Sequence, residues 1–244
     1  MDTGAYVACA GLVARSQQLD LAAQDLANVN TAGYRSQQAA FRAVLANSGG
    51  MVPAGWSAAV NNFGTLGETR LTRASGNLEN TGNPLDLGLE GGGFFAVQTP
   101  AGVRYTRRGD FHISSTGLLE TSDGYSVVGS MGPVRVPKGE VMISSDGTLS
   151  VDGAVAGKLK LVQFPASAQL VAQSGSYYSA PVGADVPAVD TSVRQGMIES
   201  SNVNSIASSI QLVTIQRTAE MLQRALTTFH SDFDRTAVED LPRV

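Results

Sequence analysis

The chain has 244 residues, a mass of 25.3 kDa, 43% apolar residues and a net charge of −4 with a pI near 5.2. Because an acidic chain lacks the basic surface that binds phosphates, nucleic acid is excluded as its main partner. The single cysteine, Cys9, excludes an intrachain disulfide and a thiolate metal cluster, while two histidines, His112 and His230, leave little material for a metal site or a hydrolase relay.

The first residues lack the features of a secretory signal peptide. Residues 1–11 contain no lysine or arginine, and Gly4 and Gly11 interrupt their apolar stretch. Nowhere does a run of about eighteen apolar residues occur, which is the minimum for a membrane-spanning helix. We therefore expect no cleaved signal peptide and no insertion into a membrane.

A proline-free segment near the start, residues 4–29, has the spacing of an amphipathic helix. Leucines recur every seven residues and small residues lie between them, in a seam formed by Leu12, Leu19, Leu26, Cys9, Ser16 and Ala23. This pattern predicts a buried seam that includes Cys9. Asn30, Thr31 and Gly33 are predicted to end the helix, because Asn and Gly tolerate the left-handed conformation of a helix C-cap.

The other end of the chain has a second helical pattern. A proline-free segment follows the potential N-caps Ser201 and Asn202 and extends to about Arg235. Its main apolar stripe alternates steps of three and four residues, through Leu212, Ile215, Ala219, Leu222, Leu226, Phe229 and Phe233. A second stripe lies on another face of its first half, at Val203, Ile206, Ile210 and Val213. We expect this helix to be covered on more than one side.

Between the two helices, the apolar residues change to the alternation of β-strands. Residues 94–99 and 103–107 flank a Pro-Ala-Gly turn and predict a hairpin, and a strand is predicted at 158–164. Asp-Gly pairs at 123–124, 146–147 and 152–153 indicate turns between short strands. Residues near 69–71 are predicted to form a strand within an otherwise extended connector.

The predicted fold is α+β, with N- and C-terminal coiled-coil-type helices packed together and a small antiparallel β domain inserted between them. An exposed leucine seam is unstable in water, so the helices must pair with each other or with other copies. Contacts between copies that do not close produce a filament. The predicted regions are an N-terminal helix and turn at 1–45, a connector at 46–80, a β-rich domain at 81–190 and a C-terminal helix at 191–244.

The sequence contains no convincing catalytic or ligand-binding motif. The glycine run at residues 91–93 lacks the Lys-Ser/Thr of a phosphate loop and precedes a strand, so a tight bend explains it better than nucleotide binding. Asp86 and Glu90 have no third group beside them and are interpreted as solvated edge residues rather than catalytic carboxylates. We expect no enzymatic activity, no metal, no cofactor and no small-molecule substrate.

Three blocks of sequence resemble the bacterial flagellar rod and hook proteins. The first is the stretch Leu26-Ala27-Asn28-Val29-Asn30-Thr31-Ala32-Gly33-Tyr34-Arg35. The second comprises residues 81–87, 91–95, 105–107, 109, 111 and 123–125, and the third comprises 195–196, 199–204 and 216–217. The blocks occur in the family's order and cover most of the chain.

The resemblance implies a structural subunit of the flagellar basal-body rod in the periplasm, exported by the flagellar type III apparatus. Its partners would be other rod proteins and copies of itself, with the terminal helices lining the tube and the β domain facing outward. The length and the start at residues 1–6 are most similar to a proximal-rod member, and a distal-rod member is the nearest alternative. Gln24-Asp25 and Thr218-Ala219 depart from the family's usual residues and bear on which rod segment the subunit occupies.

The residues predicted to form the assembly interface are the two helical seams and the turn of the first motif: Leu12, Leu19, Leu26, Asn28, Asn30, Gly33, Leu212, Ile215, Leu222, Leu226 and Phe229. Two alternatives remain. The helices can pair within one subunit without forming a polymer, and the chain can be a soluble β-rich binding module with a helical oligomerisation stalk.

Overall fold

A computed structural model of the chain describes residues 3–42, 65–173 and 176–239. The fold is α+β, with two helices and mainly antiparallel strands in these ranges. The predicted connector falls partly on residues 46–64, which lie outside the described residues. The chain divides into two compact units. The helical unit comprises 1–26, 38–69 and 205–244, and the β unit comprises 27–37 and 70–204.

The two helices are α1, Thr3–Ala27, and α2, Ser205–Glu239. Both lack proline, and several hydroxyl side chains in α2 donate to a carbonyl one turn earlier, as Thr214 Oγ1 does to Ile210 O at 2.8 Å and Thr218 Oγ1 to Thr214 O at 2.8 Å. These bonds satisfy polar side chains inside a helix without breaking it. Over the described residues, neither helix contains an apolar stretch of the length and hydropathy that a membrane-spanning helix requires.

The predicted end of the first helix and the predicted start of the second helix are wrong. The first helix ends at Ala27, and Gly33 adopts its positive φ of 65° in a separate turn beyond that end. The second helix begins at Ser205 rather than after Ser201 or Asn202. Asn202 is unavailable as a cap because its side chain bridges two other segments, accepting from Ser36 N at 2.8 Å and donating to Ala74 O at 2.9 Å.

The inward face of α1 differs from the predicted seam. Leu12, Leu19 and Leu26 are half-buried and Ala22 is buried, whereas the small residues assigned to the seam, Cys9, Ser16 and Ala23, are exposed. On a helix, the residues three positions and four positions from a leucine both lie next to it. A seven-residue leucine repeat is therefore compatible with a seam that contains either set, and the spacing alone does not identify which set is buried. The expectation that Cys9 is buried is therefore wrong.

The largest sheet of the β unit is built around the strand Phe94–Thr99. Its ten strands are β5, Phe94–Thr99; β6, Gly102–Thr106; β7, Phe111–Ile113; β8, Leu119–Thr121; β9, Ser126–Gly129; β10, Gly132–Pro133; β14, Leu161–Gln163; β15, Val171–Ala172; β16, Tyr177–Ser179; and β17, Val186–Pro187. The predicted hairpin is confirmed as β5 and β6, whose register pairs Thr99 with Gly102. Successive β5 side chains enter two hydrophobic cores, Phe95 and Val97 one, Phe94 and Ala96 the other.

The remaining strands form four smaller sheets. The strands β11, Val141–Ile143; β12, Thr148–Val151; and β13, Ala154–Lys158, form a three-stranded sheet. The other pairs are β1, Gln37–Arg42, with β2, Thr65–Leu71; β3, Leu78–Asn80, with β19, Met197–Glu199; and β4, Leu87–Glu90, with β18, Ser192–Gln195. Through the last two pairs, the beginning and the end of the long segment of the β unit run antiparallel beside each other.

The turns predicted at the Asp-Gly pairs of the β unit are confirmed. All three Asp-Gly pairs lie between strands, with φ of 82° at Gly124, 81° at Gly147 and 83° at Gly153. The strand predicted at 158–164 is confirmed only in its second half, as β14, because the chain changes sheets after Lys158 at the end of β13. β13 pairs with β12, whereas β14 pairs with β5 and β17.

Candidate functional site

The turn that follows α1 is fixed by close contact with the strands of the β unit. Thr31 N donates to Asn28 O at 3.1 Å and Tyr34 N to Thr31 O at 3.2 Å, which forms two consecutive turns. Gly33 N then donates to Glu199 O at 2.7 Å. At Gly33, φ is +65°, and a Cβ atom there would lie 2.6 Å from the Arg107 carbonyl oxygen. Only glycine fits this position without a shift of the backbone.

A buried cluster of three charged side chains lies beside this turn. We call it the Arg35–Glu199–Arg107 cluster. The side chains are 2%, 1% and 0% exposed, respectively. Arg107 Nη1 donates to Glu199 Oε2 at 2.8 Å, and Arg35 Nη2 donates to Glu199 Oε1 at 3.4 Å. The cluster joins the first motif, the end of β6 and the last strand of the β unit.

Backbone and aromatic groups complete the surroundings of the cluster. Arg107 also donates to the carbonyls of Leu89, at 3.1 Å, and Gly91. Both guanidinium carbons lie 5.3 Å from the centre of the Phe94 ring. A ring face attracts a cation more strongly where water is excluded, so Phe94 stabilises the excess positive charge of two arginines beside one carboxylate.

Burial has the largest effect on the electrostatics of the cluster. It lowers the pKa of Arg107 to about 10, with the neighbouring charge of Arg35 acting in the same direction and Glu199 opposing it. At neutral pH, Arg107 therefore remains charged. Arg35 Nε and Arg107 Nε are buried and have no hydrogen-bond partner within the described ranges. Such a cluster is sensitive to any change in its charge balance, because buried charges are stabilised only by their partners.

The chain enters and leaves the β unit at neighbouring points. Asn202 N donates to Tyr34 O at 3.3 Å, and Arg35 N donates to the Tyr178 hydroxyl at 3.2 Å. Tyr34 and Tyr178 are both 1% exposed. Together with the Gly33–Glu199 bond, these contacts hold the segment after α1 against the segment before α2 within the β unit.

Tyr177 and Tyr178 give a testable pH dependence. Burial raises the pKa of Tyr178 to about 12 and also raises the pKa of Tyr177, on which the nearby Asp123 acts in the same direction. A folded-state pKa above the unfolded value of about 10 stabilises the native state below pH 10, and that contribution is lost as the pH rises towards 12. Ultraviolet absorbance of tyrosinate is expected to show a late group of tyrosines that Tyr178→Phe reduces. Titration of all six tyrosines together near pH 10, with native circular dichroism retained, would contradict this expectation.

The turn residues predicted for assembly have different positions. Asn28 accepts from Thr31 Oγ1 at 3.2 Å, so it stabilises the turn. Asn30 is exposed, and Gly33 is buried against the Arg107 backbone. Asn28 and Gly33 therefore stabilise the turn itself, whereas Asn30 lies on the surface.

The helix residues predicted for assembly lie on faces that are partly covered within the chain. Leu12, Leu19 and Leu26 are half-buried in α1. In α2, Ile215 is 7% exposed, and Leu212, Leu222 and Leu226 are half-buried. The side chain of Phe229 lies outside the described part of the chain. The second α2 stripe predicted from the sequence is more exposed, with Ile210 at 63% and Val213 at 46%.

Sequence reasoning did not assign a role to Arg35, Arg107 or Glu199. Each of them lies in one of the three motif blocks, and this position in a block was the feature of the sequence that could have identified them. A charged residue inside an otherwise turn-like or apolar motif is a candidate for a buried ion pair, but its partner is 92 or more residues away in the chain. Spacing along the sequence cannot identify such a partner.

The structure also contains an open acidic groove of 580 Å³. It is lined by Glu90, Gly91, Ser145, Asp146, Val189, Asp190, Thr191 and Ser192. Arg194 already pairs with Glu90, and Lys158 pairs with Asp146 at 2.8 Å and helps lower the pKa of that carboxyl to about 2. In the part of the chain that the structure describes, no group of three or more His, Cys, Asp or Glu residues could hold a metal ion.

Comparisons with known families find flagellar proteins. A sequence profile described as the flagellar hook protein FlgE/F/G D1 domain matches residues 88–151. A second profile, described as the flagellar basal body rod FlgEFG protein C-terminal, matches residues 194–237. The first range contains Arg107 and the second contains Glu199, so the two profiles meet at the buried cluster.

Curated relatives match over nearly the whole chain. The flagellar basal-body rod protein FlgF of Mesorhizobium japonicum is 31% identical over 226 residues, which cover 90% of this chain and 90% of the relative. FlgF of Rhizobium meliloti is 32% identical and covers 99% and 98%, respectively. The flagellar basal-body rod protein FlgG of Agrobacterium fabrum is 29% identical and covers 91% and 93%.

Proposed function

The chain belongs to the family of flagellar basal-body rod proteins, and we propose that it is a structural subunit of the proximal rod. The higher identity to FlgF than to FlgG supports the proximal over the distal position. In this proposal, the subunit has no enzymatic role. It polymerises through its terminal helices with copies of itself and other rod proteins, after export through the flagellar type III apparatus without cleavage of a signal peptide.

The observation that supports a mechanical function is the fixed connection between the two ends of the β unit. A subunit under torque needs a β unit that does not come apart where the chain enters and leaves it. Gly33 N–Glu199 O and Asn202 N–Tyr34 O join the two connecting segments at 2.7 and 3.3 Å. The Arg35–Glu199–Arg107 cluster fixes the same two segments through buried side chains. Rigid support of this kind suits a load-bearing subunit.

In the proposed domain arrangement, α1 and α2 form the axial core and the β-rich segment at 81–190 is inserted between them and faces outward. The half-buried leucine stripes of both helices support coiled-coil-type packing in the core. The turn at Asn28, Asn30 and Gly33 connects this core to the β unit. The alternative binding module with a helical stalk would form a closed oligomer of fixed size, independent of flagellar components.

Deletion of the gene and electron microscopy of basal bodies, beside a complemented strain, test the proposed function. We expect rods that are missing or that stop at the inner-membrane ring, with no hook or filament. A rod that stops farther out would assign the chain to the distal segment. Complete flagella and normal swimming after deletion would contradict the proposal and favour the binding module.

Single substitutions in the helical stripes should disrupt assembly without unfolding the β unit. Leu19→Asp or Leu222→Asp places a carboxylate on a half-buried apolar face, and even truncation of a packed leucine costs about 2–5 kcal/mol. We expect either variant to abolish rod assembly, while protease resistance and circular dichroism of the β unit persist. Gln223→Asp, at an exposed position beside Leu222, serves as the matched control and should assemble. Assembly of Leu222→Asp at the wild-type level would overturn the prediction.

A further inference from the structure

The second helix carries an exposed stripe opposite its covered one. Ile210 and Val213 are 63% and 46% exposed, and the same face continues through Arg217, Glu220 and Arg224, all exposed. The steps between these residues are 3, 4, 3 and 4, as in a coiled-coil seam. Its first half is thus apolar, its second half is charged, and the described part of the chain covers neither. We call it the outer α2 stripe.

The first helix has an exposed stripe of the same period. Val13, Ser16, Asp20 and Ala23 follow steps of 3, 4 and 3, and all four are exposed. Apart from Asp20 these residues are small or medium in size, which permits close approach by a partner helix carrying larger side chains. We call it the outer α1 stripe. Its one charged residue is acidic, whereas the outer α2 stripe has two arginines and one glutamate, a net positive charge.

Resting on the proposed rod function, we propose that the outer α2 stripe of one copy packs on the outer α1 stripe of a second copy, with Asp20 paired to Arg217. Both stripes are open among the described residues of one chain, so the pairing occurs between chains. Size and charge are complementary, since Ile210 and Val213 meet smaller residues and the carboxylate meets a guanidinium. The steps of the two stripes match when the helices run parallel, with Asp20 opposite Arg217 and Ser16 opposite Val213.

The contact is heterologous, because each copy offers one surface on α2 and a different surface on α1. Repetition of a heterologous contact builds a ring or an open helix rather than a closed dimer. The sequence pattern assigned helix packing within the subunit and assembly between subunits to one set of residues, whereas the proposed contact divides these two roles between two sets. The stripe of Leu212, Ile215, Leu222 and Leu226 is already partly covered within the subunit, and the outer stripes join the subunits.

Charge reversal in two separately encoded copies tests the proposal. Asp20→Arg and Arg217→Glu, each expressed alone in cells that lack the wild-type gene, place like charges opposite each other and should reduce swimming and rod incorporation roughly tenfold or more. Co-expression of the two variants should restore both. The two introduced side chains, of opposite charge, then face each other between neighbouring copies, and the remaining contact is the wild-type Asp20–Arg217 pair. Both sites are exposed, so circular dichroism should stay unchanged, and Gln223→Glu, off the stripe, should be silent.

The other outcomes identify what has failed. Rescue only when both changes are on one chain would show an intramolecular pair and overturn the proposal. Wild-type incorporation of both single variants would overturn the contact while leaving the rod function intact. Normal swimming of cells that lack the chain altogether would instead overturn the proposed function. As a direct check in isolated basal bodies, Val213→Cys on one chain should crosslink to Ser16→Cys on another in a Cys9→Ser background. A crosslink to a different rod protein would contradict the assignment of a second copy.

Discussion

Glu199→Gln is expected to lower the free energy of unfolding of the full chain by about 3–5 kcal/mol, the usual loss when one partner of a buried ion pair is removed. The substitution keeps the shape of the side chain but leaves Arg35 and Arg107 without a counter-charge, at 2% and 0% exposure. It also weakens the bond from Gly76 N to Glu199 Oε1, now 3.0 Å. Urea unfolding followed by circular dichroism measures the change.

The matched control is Glu90→Gln, which removes the same charge from the same unit. Glu90 pairs with Arg194 on the surface, where both side chains are more than half exposed. Surface pairs of this kind contribute little because water and salt screen them. We expect no measurable shift of the unfolding midpoint for Glu90→Gln, and an equal effect of the two substitutions would contradict the importance of burial.

The charge balance of the cluster predicts an order among its members. Arg35→Met removes one cation and leaves a neutral pair, Arg107 with Glu199, whereas Glu199→Gln leaves two cations together. Arg35→Met should therefore destabilise the chain less than Glu199→Gln, even though it also loses the 3.0 Å bond to Ser75 Oγ. A larger loss for Arg35→Met would show that packing rather than charge dominates the cluster.

The features that the sequence predicted well are those determined over a few residues. The β5–β6 hairpin and the turns at Gly124, Gly147 and Gly153 need only a turn residue between two apolar runs. The existence of both helices follows in the same way from periodicity and the lack of proline. The family motifs were visible too, and they contain every member of the buried cluster.

The features that it could not predict depend on distant partners. Asn202 has the residue type of an N-cap, but contacts with Ser36 and Ala74 occupy it. The segment at 158–164 looks like one strand, but Lys158 pairs with β12 in the three-stranded sheet, whereas Leu161 and Val162 pair with β5 in the large sheet. For α1, the repeat of Leu12, Leu19 and Leu26 fits two faces equally well, and only the folded chain shows that Cys9, Ser16 and Ala23 face outward.

The turn glycine provides a second test with a large effect. Gly33→Ala is expected to destabilise the β unit by several kcal/mol, since it combines a positive φ with a steric clash. The positive φ of 65° alone costs an alanine about 1 kcal/mol, as the left-handed region is unfavourable for any Cβ. The clash adds to this, because the new methyl group would lie 2.6 Å from the Arg107 carbonyl oxygen, and neither backbone can move without disturbing the bond from Gly33 N to Glu199 O.

Gly82→Ala separates the two contributions. Gly82 has a similar φ of 71°, but nothing lies within 4 Å of a Cβ atom added there. Its substitution should therefore show the conformational cost alone, and the difference between the two variants measures the clash. Because Gly33 lies in the connection from α1 to the β unit, Gly33→Ala should also impair swimming, whereas Gly82→Ala should not. Equal unfolding midpoints for the two variants would mean that the turn can move away from Arg107, and the fixed connection proposed for torque transmission would then be wrong.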